Sequence, residues 1–278
     1  MPSTTTSDVS ALVALLAGRR FAVLTGAGIS TDSGIPDYRG PDSPPRSPMT
    51  YDQFVTDEGF RRHYWARNHV GWQHMRTRRP NAGHEAIAKM EQRGLVTGVI
   101  TQNVDLLHQA AGSQRVIDLH GHYNEVICLS CGLVLSRTEL DRMLTVLNPE
   151  FTDAVADVEI APDADAVIAS TEGFQVQPCP RCGGILKPNI VYFGENVPKE
   201  RVAAAYTLVD ESEAVLVAGS SLAVMSGLRF VRHAHRHGLP VAIINRGTTR
   251  GDELADLHLD AGASPTLTAL EAALPGLP

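Results

Sequence analysis

The four cysteines of the chain fall in two pairs, Cys128-Leu129-Ser130-Cys131 and Cys179-Pro180-Arg181-Cys182, each followed by a glycine (Gly132 and Gly183). Two thiolates three positions apart can turn back onto a single metal ion, and two such turns complete a tetrahedron. The pattern predicts one structural Zn2+ per chain, held by Cys128, Cys131, Cys179 and Cys182, with two disulfides as the competing reading. Four thiolates leave no open coordination position, which argues against hydrolysis at the metal. A second set of polar residues sits in TGAGISTDSGIPDYRG (25–40), TQNVD (101–105), DLHGHY (118–123), GSS (219–221) and at Asn245. A glycine-rich exit from an apolar run lets the backbone approach a phosphate, because no side chain intervenes. GAGIS is not the ordinary dinucleotide fingerprint, however. Thr31 stands where the third glycine belongs, and no acidic strand end follows at the usual spacing. A bare G-x-G is equally a tight turn. His120, near a predicted strand end, is a candidate general base, one of eleven histidines.

These residues need elements to hold them. Apolar runs that read as buried parallel strands occur at 20–25, 95–101, 214–218 and 241–245, with weaker ones at 116–119 and 190–193. Helical patterns lie between, at about 57–69, 82–93, 104–111, 199–209, 225–237 and 265–274, and an amphipathic helix precedes the first strand. Alternation of this kind predicts an α/β fold, a doubly wound parallel Rossmann-like sheet, with a small inserted zinc-ribbon module. The large part is expected over about 8–40, 80–120 and 187–274. The small part joins a helical segment at about 41–79 to the zinc module at about 121–186. Polar motifs follow four separate strands, where ligands of such sheets bind, and together they suit one extended ligand of dinucleotide length.

The chain has 278 residues, 43% apolar and 20% charged, with a net charge of −7. That is ordinary globular composition and argues against a broad nucleic-acid or anionic-membrane surface. No run reaches the roughly 20 apolar residues of a membrane span. The run ALVALLAG (11–18) is followed rather than preceded by its basic pair Arg19-Arg20, the wrong order for a secretory signal, so a cytoplasmic protein is expected.

In order, GAGIS, GIPDYR, TQNVD, LHG, the two C-x-x-C pairs, KPNIVYFGE (187–195), GSSL and a late IIN resemble the sirtuin family of NAD-dependent protein deacylases over about residues 10–262. The resemblance implies a single catalytic domain spanning the chain, with NAD+ as a cosubstrate. It implies that Gly26, Ala27 and Gly28 line the pyrophosphate and that Asp37, Tyr38 and Arg39 lie in a loop that closes over the nicotinamide ribose. It implies that Gln102, Asn103 and Asp105 form the nicotinamide and ribose pocket, that Gly219, Ser220 and Ser221 contact phosphate, and that Asn245 meets the adenosine ribose. His120 matches the family's general base, and Asn103 joins it as a catalytic residue. The implied reaction begins with attack of an acyl-lysine carbonyl oxygen on C1′ of the ribose. It yields nicotinamide, O-acyl-ADP-ribose and free lysine. Acyl-lysine proteins or peptides would be the partners, an extended peptide pairing with KPNIVYFGE, read as a strand stopping at Gly194, and with 222–227.

GISTDSGIPDYR, TQNVDLLHQAAGS and SLAVMSG look closest to the class II sirtuins, with Ser226 where many sirtuins have proline. Tyr64 and Arg67, three apart in YWAR, match a pair that holds acidic acyl groups in desuccinylating sirtuins, since a guanidinium fork suits a carboxylate. This resemblance leads to an expectation that long or acid-tipped acyl groups, or lipoyl, are preferred over acetyl. Protein ADP-ribosyl transfer from the same NAD site is the alternative activity, and a non-catalytic NAD-binding module the third. A loop is expected from Met143 to Pro178, acidic and alanine-rich between Asp153 and Glu172.

Overall fold

The computed structural model describes residues 6–40, 48–151 and 170–277, and the acidic stretch falls largely outside them. The chain divides into two compact units, one of residues 1–45, 79–119 and 197–278, the other of residues 46–78 and 120–196.

The first unit carries a six-stranded parallel sheet. Its strands are β1 (Phe21–Thr25), β2 (Val96–Thr101), β3 (Val116–Asp118), β7 (Ala214–Ala218), β8 (Val241–Asn245) and β9 (Leu257–Asp260), in the spatial order β3-β2-β1-β7-β8-β9. β1, β2, β7 and β8 are buried along their whole length, which is why they read as continuous apolar runs rather than alternating ones. β9, LHLD, was not expected, because its apolar run is too short to register. Helices α1 (Thr6–Leu16), α4 (Ala82–Gln92) and α9 (Ala263–Ala273) share one core with the sheet, through Leu12, Leu16, Ile87, Met90, Leu267 and Leu270. Helices α7 (Lys199–Asp210) and α8 (Met225–Arg236) share a second, through Leu208, Leu228, Phe230 and Val231. A short α5 (Leu107–Ala110) follows β2, where a longer helix over 104–111 was expected.

The second unit holds α2 (Tyr51–Thr56), α3 (Glu58–Met75), α6 (Arg137–Leu147) and an antiparallel sheet of β4 (Gly121–Cys128), β5 (Val134–Ser136) and β6 (Leu186–Ile190), in the order β5-β4-β6. The expected parallel strand at 190–193 is corrected by β6, which ends at Ile190 and pairs antiparallel with β4. The run KPNIVYFGE therefore contains no strand reaching Gly194. Beyond Ile190 only Phe193 makes a bridge, to Thr50. Residues 187–196 accordingly belong to the small unit. The expected loop from Met143 begins as the last turns of α6, an amphipathic helix that the cysteine-rich surroundings obscured.

Two buried cations organise this unit. Arg137 has no solvent exposure and lies over the rings of Trp72 and Trp65, at 5.1 and 5.7 Å, while its Nη2 donates to the Asn68 carbonyl and side-chain oxygens. Burial draws Arg137 down to about 10, against the attraction of Asp141. Lys187 Nζ meets Glu195 Oε2 at 3.0 Å and lies 5.0 Å from the Tyr192 ring centroid, and Glu195 also accepts from Tyr192 N–H, so the turn after β6 is pinned by the ion pair of a buried lysine with a half-buried glutamate.

In the first unit the equivalent joint is Asn81, the N-cap of α4. Its Oδ1 accepts from Gly83 N–H and from the Ser264 hydroxyl, and its Nδ2 donates to Ile29 O and Ser33 Oγ. One side chain thus ties the segment after β1 to α4 and α9. Asn81→Ala is expected to lower the unfolding free energy by about 2 kcal/mol in urea denaturation, the sum of a lost cap and stranded partners.

Candidate functional site

The site follows from the strand order. β1, β2 and β3 proceed in one direction across the sheet and β7, β8 and β9 in the other, so the crossover direction reverses between β1 and β7, where doubly wound sheets bind ligands. The registers Thr25 with Thr101, Thr25 with Ala218 and Ala218 with Ile244 bring four strand ends level. The motifs at Gly26, Gln102, Gly219 and Asn245 consequently emerge side by side.

The glycines at this point have a reason that the sequence did not reveal. A Cβ on Gly26 would lie 2.8 Å from Ser220 Cβ, and one on Gly28 2.9 Å from Gly219 Cα. On Gly219, at φ +65°, it would lie 2.3 Å from Ile29 N. Gly26 and Gly28 donate their N–H groups to the Ala218 and Gly219 carbonyls. The β1 and β7 exits therefore lock backbone to backbone, and the segment after β1 continues as two short 3-10 turns, Ala27–Ile29 and Thr31–Ser33, rather than as an α-helix.

Against this lock stands a buried polar cluster. Asn103 donates through Nδ2 to Gly26 O and Ser30 Oγ, both at 3.1 Å, so what it offers a ligand is the acceptor Oδ1. Ser30 donates onward to Asp105 Oδ2 at 2.7 Å, and Leu107 N–H reaches Asp105 Oδ1 at 3.0 Å. Burial pushes the Asp105 carboxyl up, opposed by those two donors. A carboxylate has about four acceptor positions, which leaves capacity for an amide donor. Gln102 Oε1 accepts from Ser220 at 2.6 Å, joining the β2 and β7 exits. Ser221 lies next to Ser220, half-buried, and its carbonyl accepts from Arg250 N–H. Asn245 turns its Nδ2 to Arg246 O and Gly247 O, closing its own turn. Asp37 accepts from Gly40 N–H at 2.6 Å, which shapes the segment carrying Tyr38 and Arg39. The set of groups fits a dinucleotide with a carboxamide head: glycine-bared strand ends at the switch point, with the buried Asn103 and the half-buried Asp105 as acceptors beside them.

The backbone adds a signal absent from sequence patterns. Among the described residues, the non-glycine positions with positive φ are Leu106 (62°) and Leu222 (54°), which directly follow TQNVD and GSS. A branched side chain in the left-handed region costs on the order of 1–2 kcal/mol, and such conformations gather at working sites.

His120, Tyr64 and Arg67 belong to the second unit. His120 is half-buried in the turn between β3 and β4, and its carbonyl accepts from Val191 N–H at 2.7 Å. The Tyr64 ring is 2% exposed and packs on Phe54, Trp65 and Tyr192, with its hydroxyl accepting from Asn68. Arg67 contacts His63 Nε2 at 2.9 Å.

The cysteines form a zinc-binding site. Their sulfurs lie within 4.8 Å of one another, with Cys128 to Cys182 at 3.6 Å and Cys131 to Cys179 at 3.8 Å. Disulfide sulfurs would be about 2 Å apart. A tetrahedron with zinc–sulfur distances of about 2.3 Å places its sulfurs about 3.8 Å apart, so the thiolate reading stands and the disulfide reading falls. Gly132 and Gly183, at φ +68° and +73°, close the two knuckles by donating to the Cys128 and Cys179 carbonyls. The Cys131 N–H, helped by that of Ser130, draws the Cys128 thiol down to about 6 against the cost of burial.

A model of the Sir2 family matches residues 26–226. The chain is 63% identical over 270 residues to NAD-dependent protein deacetylase 1 of Mycobacterium avium (strain 104), covering 96% of each. It is 49% identical over 265 residues to the protein of the same name from Streptomyces coelicolor, covering 95% of this chain and 89% of that one. A solved structure of Sir2 with a p53 peptide and NAD+ aligns with a TM-score of 0.75 at 32% identity, over 93% of this chain and 95% of that chain. The chain belongs to the Sir2 family, the sirtuins. No described helix is long and apolar enough to cross a membrane.

Two outcomes follow from this geometry. Cys179→Ala should take bound zinc from one ion per chain to none by elemental analysis and make the small unit sensitive to protease, since a structural site of this kind contributes on the order of 10 kcal/mol. Gly219→Ala should lower the melting temperature and weaken NAD+ binding by calorimetry at least about tenfold, because both its φ and its contact with Ile29 must give way.

Proposed function

We propose that this chain is an NAD-dependent protein-lysine deacetylase. The observation that carries the reading is the pair of acceptors, Asn103 Oδ1 on a buried residue and the half-buried Asp105 carboxylate, beside the glycine lock at the topological switch point. The names of the two bacterial relatives and the peptide and NAD+ of the solved Sir2 complex support it.

In this reading the segments Gly26–Gly28 and Gly219–Ser221 receive the phosphates, and Asn245 meets the adenosine ribose. Asp105 accepts from the nicotinamide carboxamide, with Gln102 helping to form the pocket, and Asn103 orients the ribose end through its acceptor oxygen. Asp37, Tyr38 and Arg39 close over the nicotinamide ribose. NAD+ supplies a ribosyl carbon with a good leaving group. His120 takes the ribose hydroxyl proton as general base once the acyl-lysine oxygen has engaged that carbon and nicotinamide has left it. The peptide binds in an extended form, so recognition rests on its main chain more than on its side chains.

Acetyl-lysine is the substrate we assign. A preference for acid-tipped groups would require Tyr64 and Arg67 to face the acyl chain, whereas the burial of Tyr64 among aromatic rings supports a packing role and Arg67 is engaged with His63.

The test is nicotinamide release from NAD+ with peptides carrying acetyl, glutaryl, succinyl or lipoyl lysine, run beside His120→Tyr. Acetyl-dependent release that His120→Tyr lowers by about a hundredfold or more, the scale of a lost general base, is expected, with Arg67→Ala changing all acyl groups alike. Release that ignores the acyl group, with ADP-ribose found on protein, would replace deacetylation by ADP-ribosyl transfer.

A further inference from the structure

β1 is apolar until its last residue, Thr25, whose side chain is completely buried. A valine would have the same shape and no need of a partner, so the hydroxyl has to be accounted for. It is fully engaged. Thr25 Oγ1 donates to Thr101 Oγ1 at 2.9 Å, and His108 Nε2 lies 2.9 Å from the same oxygen. A hydroxyl has one proton, so the histidine contact runs the other way, with His108 Nε2–H as donor. Thr101 Oγ1 in turn accepts the main-chain N–H of Asn103 at 3.1 Å.

The chain of bonds begins further back. With its proton on Nε2, His108 keeps a bare lone pair on Nδ1, a buried atom with no partner among the described residues. The adjacent ring is His84, 4.8 Å away between centroids. His84 Nδ1 accepts from Asn81 N–H at 3.3 Å, so its own proton is on Nε2, also buried and without a described partner. Burial holds His84 down to about 4 and holds His108 well below its ordinary value, with neighbouring His84 adding to the second effect. Both rings are neutral, and the His84 tautomer is set by its bond to Asn81 N–H.

We propose that Thr25 is a positioning residue for Asn103: its hydroxyl conveys the orientation of the buried His84–His108 pair, through Thr101, to the Asn103 main chain. The inference rests on the reading of Asn103 as a ligand-facing group. With the Asn103 amide N–H held by Thr101 and its side-chain NH2 held by Gly26 and Ser30, Oδ1 has one direction left. Displacements of about 1 Å at such a group cost up to about a hundredfold in rate.

Thr25→Val removes the hydroxyl at constant volume, and Thr25→Ser keeps it. Thr97→Val is the control, since Thr97 is also buried in β2 and loses an equivalent bond, to Ser212, at the other end of the strand. Two readouts are taken on each: kcat and KM for NAD+ in nicotinamide release, and hydrogen exchange of the Asn103 backbone amide by NMR. Thr25→Val is expected to lower kcat about tenfold or more, leave KM for NAD+ within about twofold, and speed Asn103 exchange at least about tenfold, while Thr25→Ser and Thr97→Val stay near the wild type. Unchanged Asn103 exchange in Thr25→Val would overturn the wiring, and an equal kcat loss in Thr97→Val would overturn the positioning role in favour of general destabilisation. A wild-type protein that releases no nicotinamide with any acyl peptide would overturn the proposed function and the catalytic half of this inference together, a result separate from the exchange measurement.

Discussion

The close approach of two backbones at the β1 and β7 exits is the constraint on which the rest of the first unit depends. Gly28 N–H bonds to Gly219 O, and neither loop leaves room for a Cβ at the contact. Once those loops are locked, Gly26 O is available to Asn103, Ser30 bridges Asn103 and Asp105, and Gln102 reaches Ser220. The order of causes runs from parallel strands that end level, to a glycine lock, to a fixed set of acceptors. Asn81 ties the segment beyond the lock to two helices, so the site is braced by the body of the unit as well as by its own loops.

The two units reach stability by different means. The first has two extended apolar cores, one on each face of its sheet, the arrangement expected when parallel strands are covered on both sides. The second has, among its described residues, a smaller core built on aromatic contacts, with Phe54 stacked on Tyr192 and edge-on to Tyr64. Small cores bury too little surface to be self-sufficient, and here metal binding at the four cysteines would supplement the apolar contacts. The ionic contacts also specify geometry: Arg137 can satisfy Asn68 and both indole faces in few arrangements, and Lys187 holds the turn after β6. Removing Glu195 would be costly because Lys187 would remain buried and charged.

Buried polar groups are the other recurring device. Thr25, Thr101, His108, His84, Ser30 and Asn103 form connected contacts in an interior that could have been apolar. Such networks limit the conformations available to their members, since each alternative strands a donor or an acceptor. They lie beneath the candidate site, where precision has the most use.

The sequence by itself determined the parallel sheet and narrowed the cysteines to a metal site or two disulfides. Continuous apolar runs separated by helical patterns can be buried only in a sheet covered on both faces, and each pair of cysteines at that spacing can turn onto one ion, because both signals are local; the fold brings the two pairs together and leaves the metal site. It also identified Asn103, Asp105, His120 and the glycines as candidates, through the order of motifs along the chain. The tertiary structure decided what no local pattern carries. It assigned 186–190 to an antiparallel sheet, because strand pairing depends on a partner sixty residues away. It showed that Gly26 and Gly28 are glycine because Gly219 needs the room, that Tyr64 lies in an aromatic core, and that Arg137, Lys187 and Thr25 are buried with partners from distant segments. Each of these is a relation between residues far apart in the chain, and only folding brings them together.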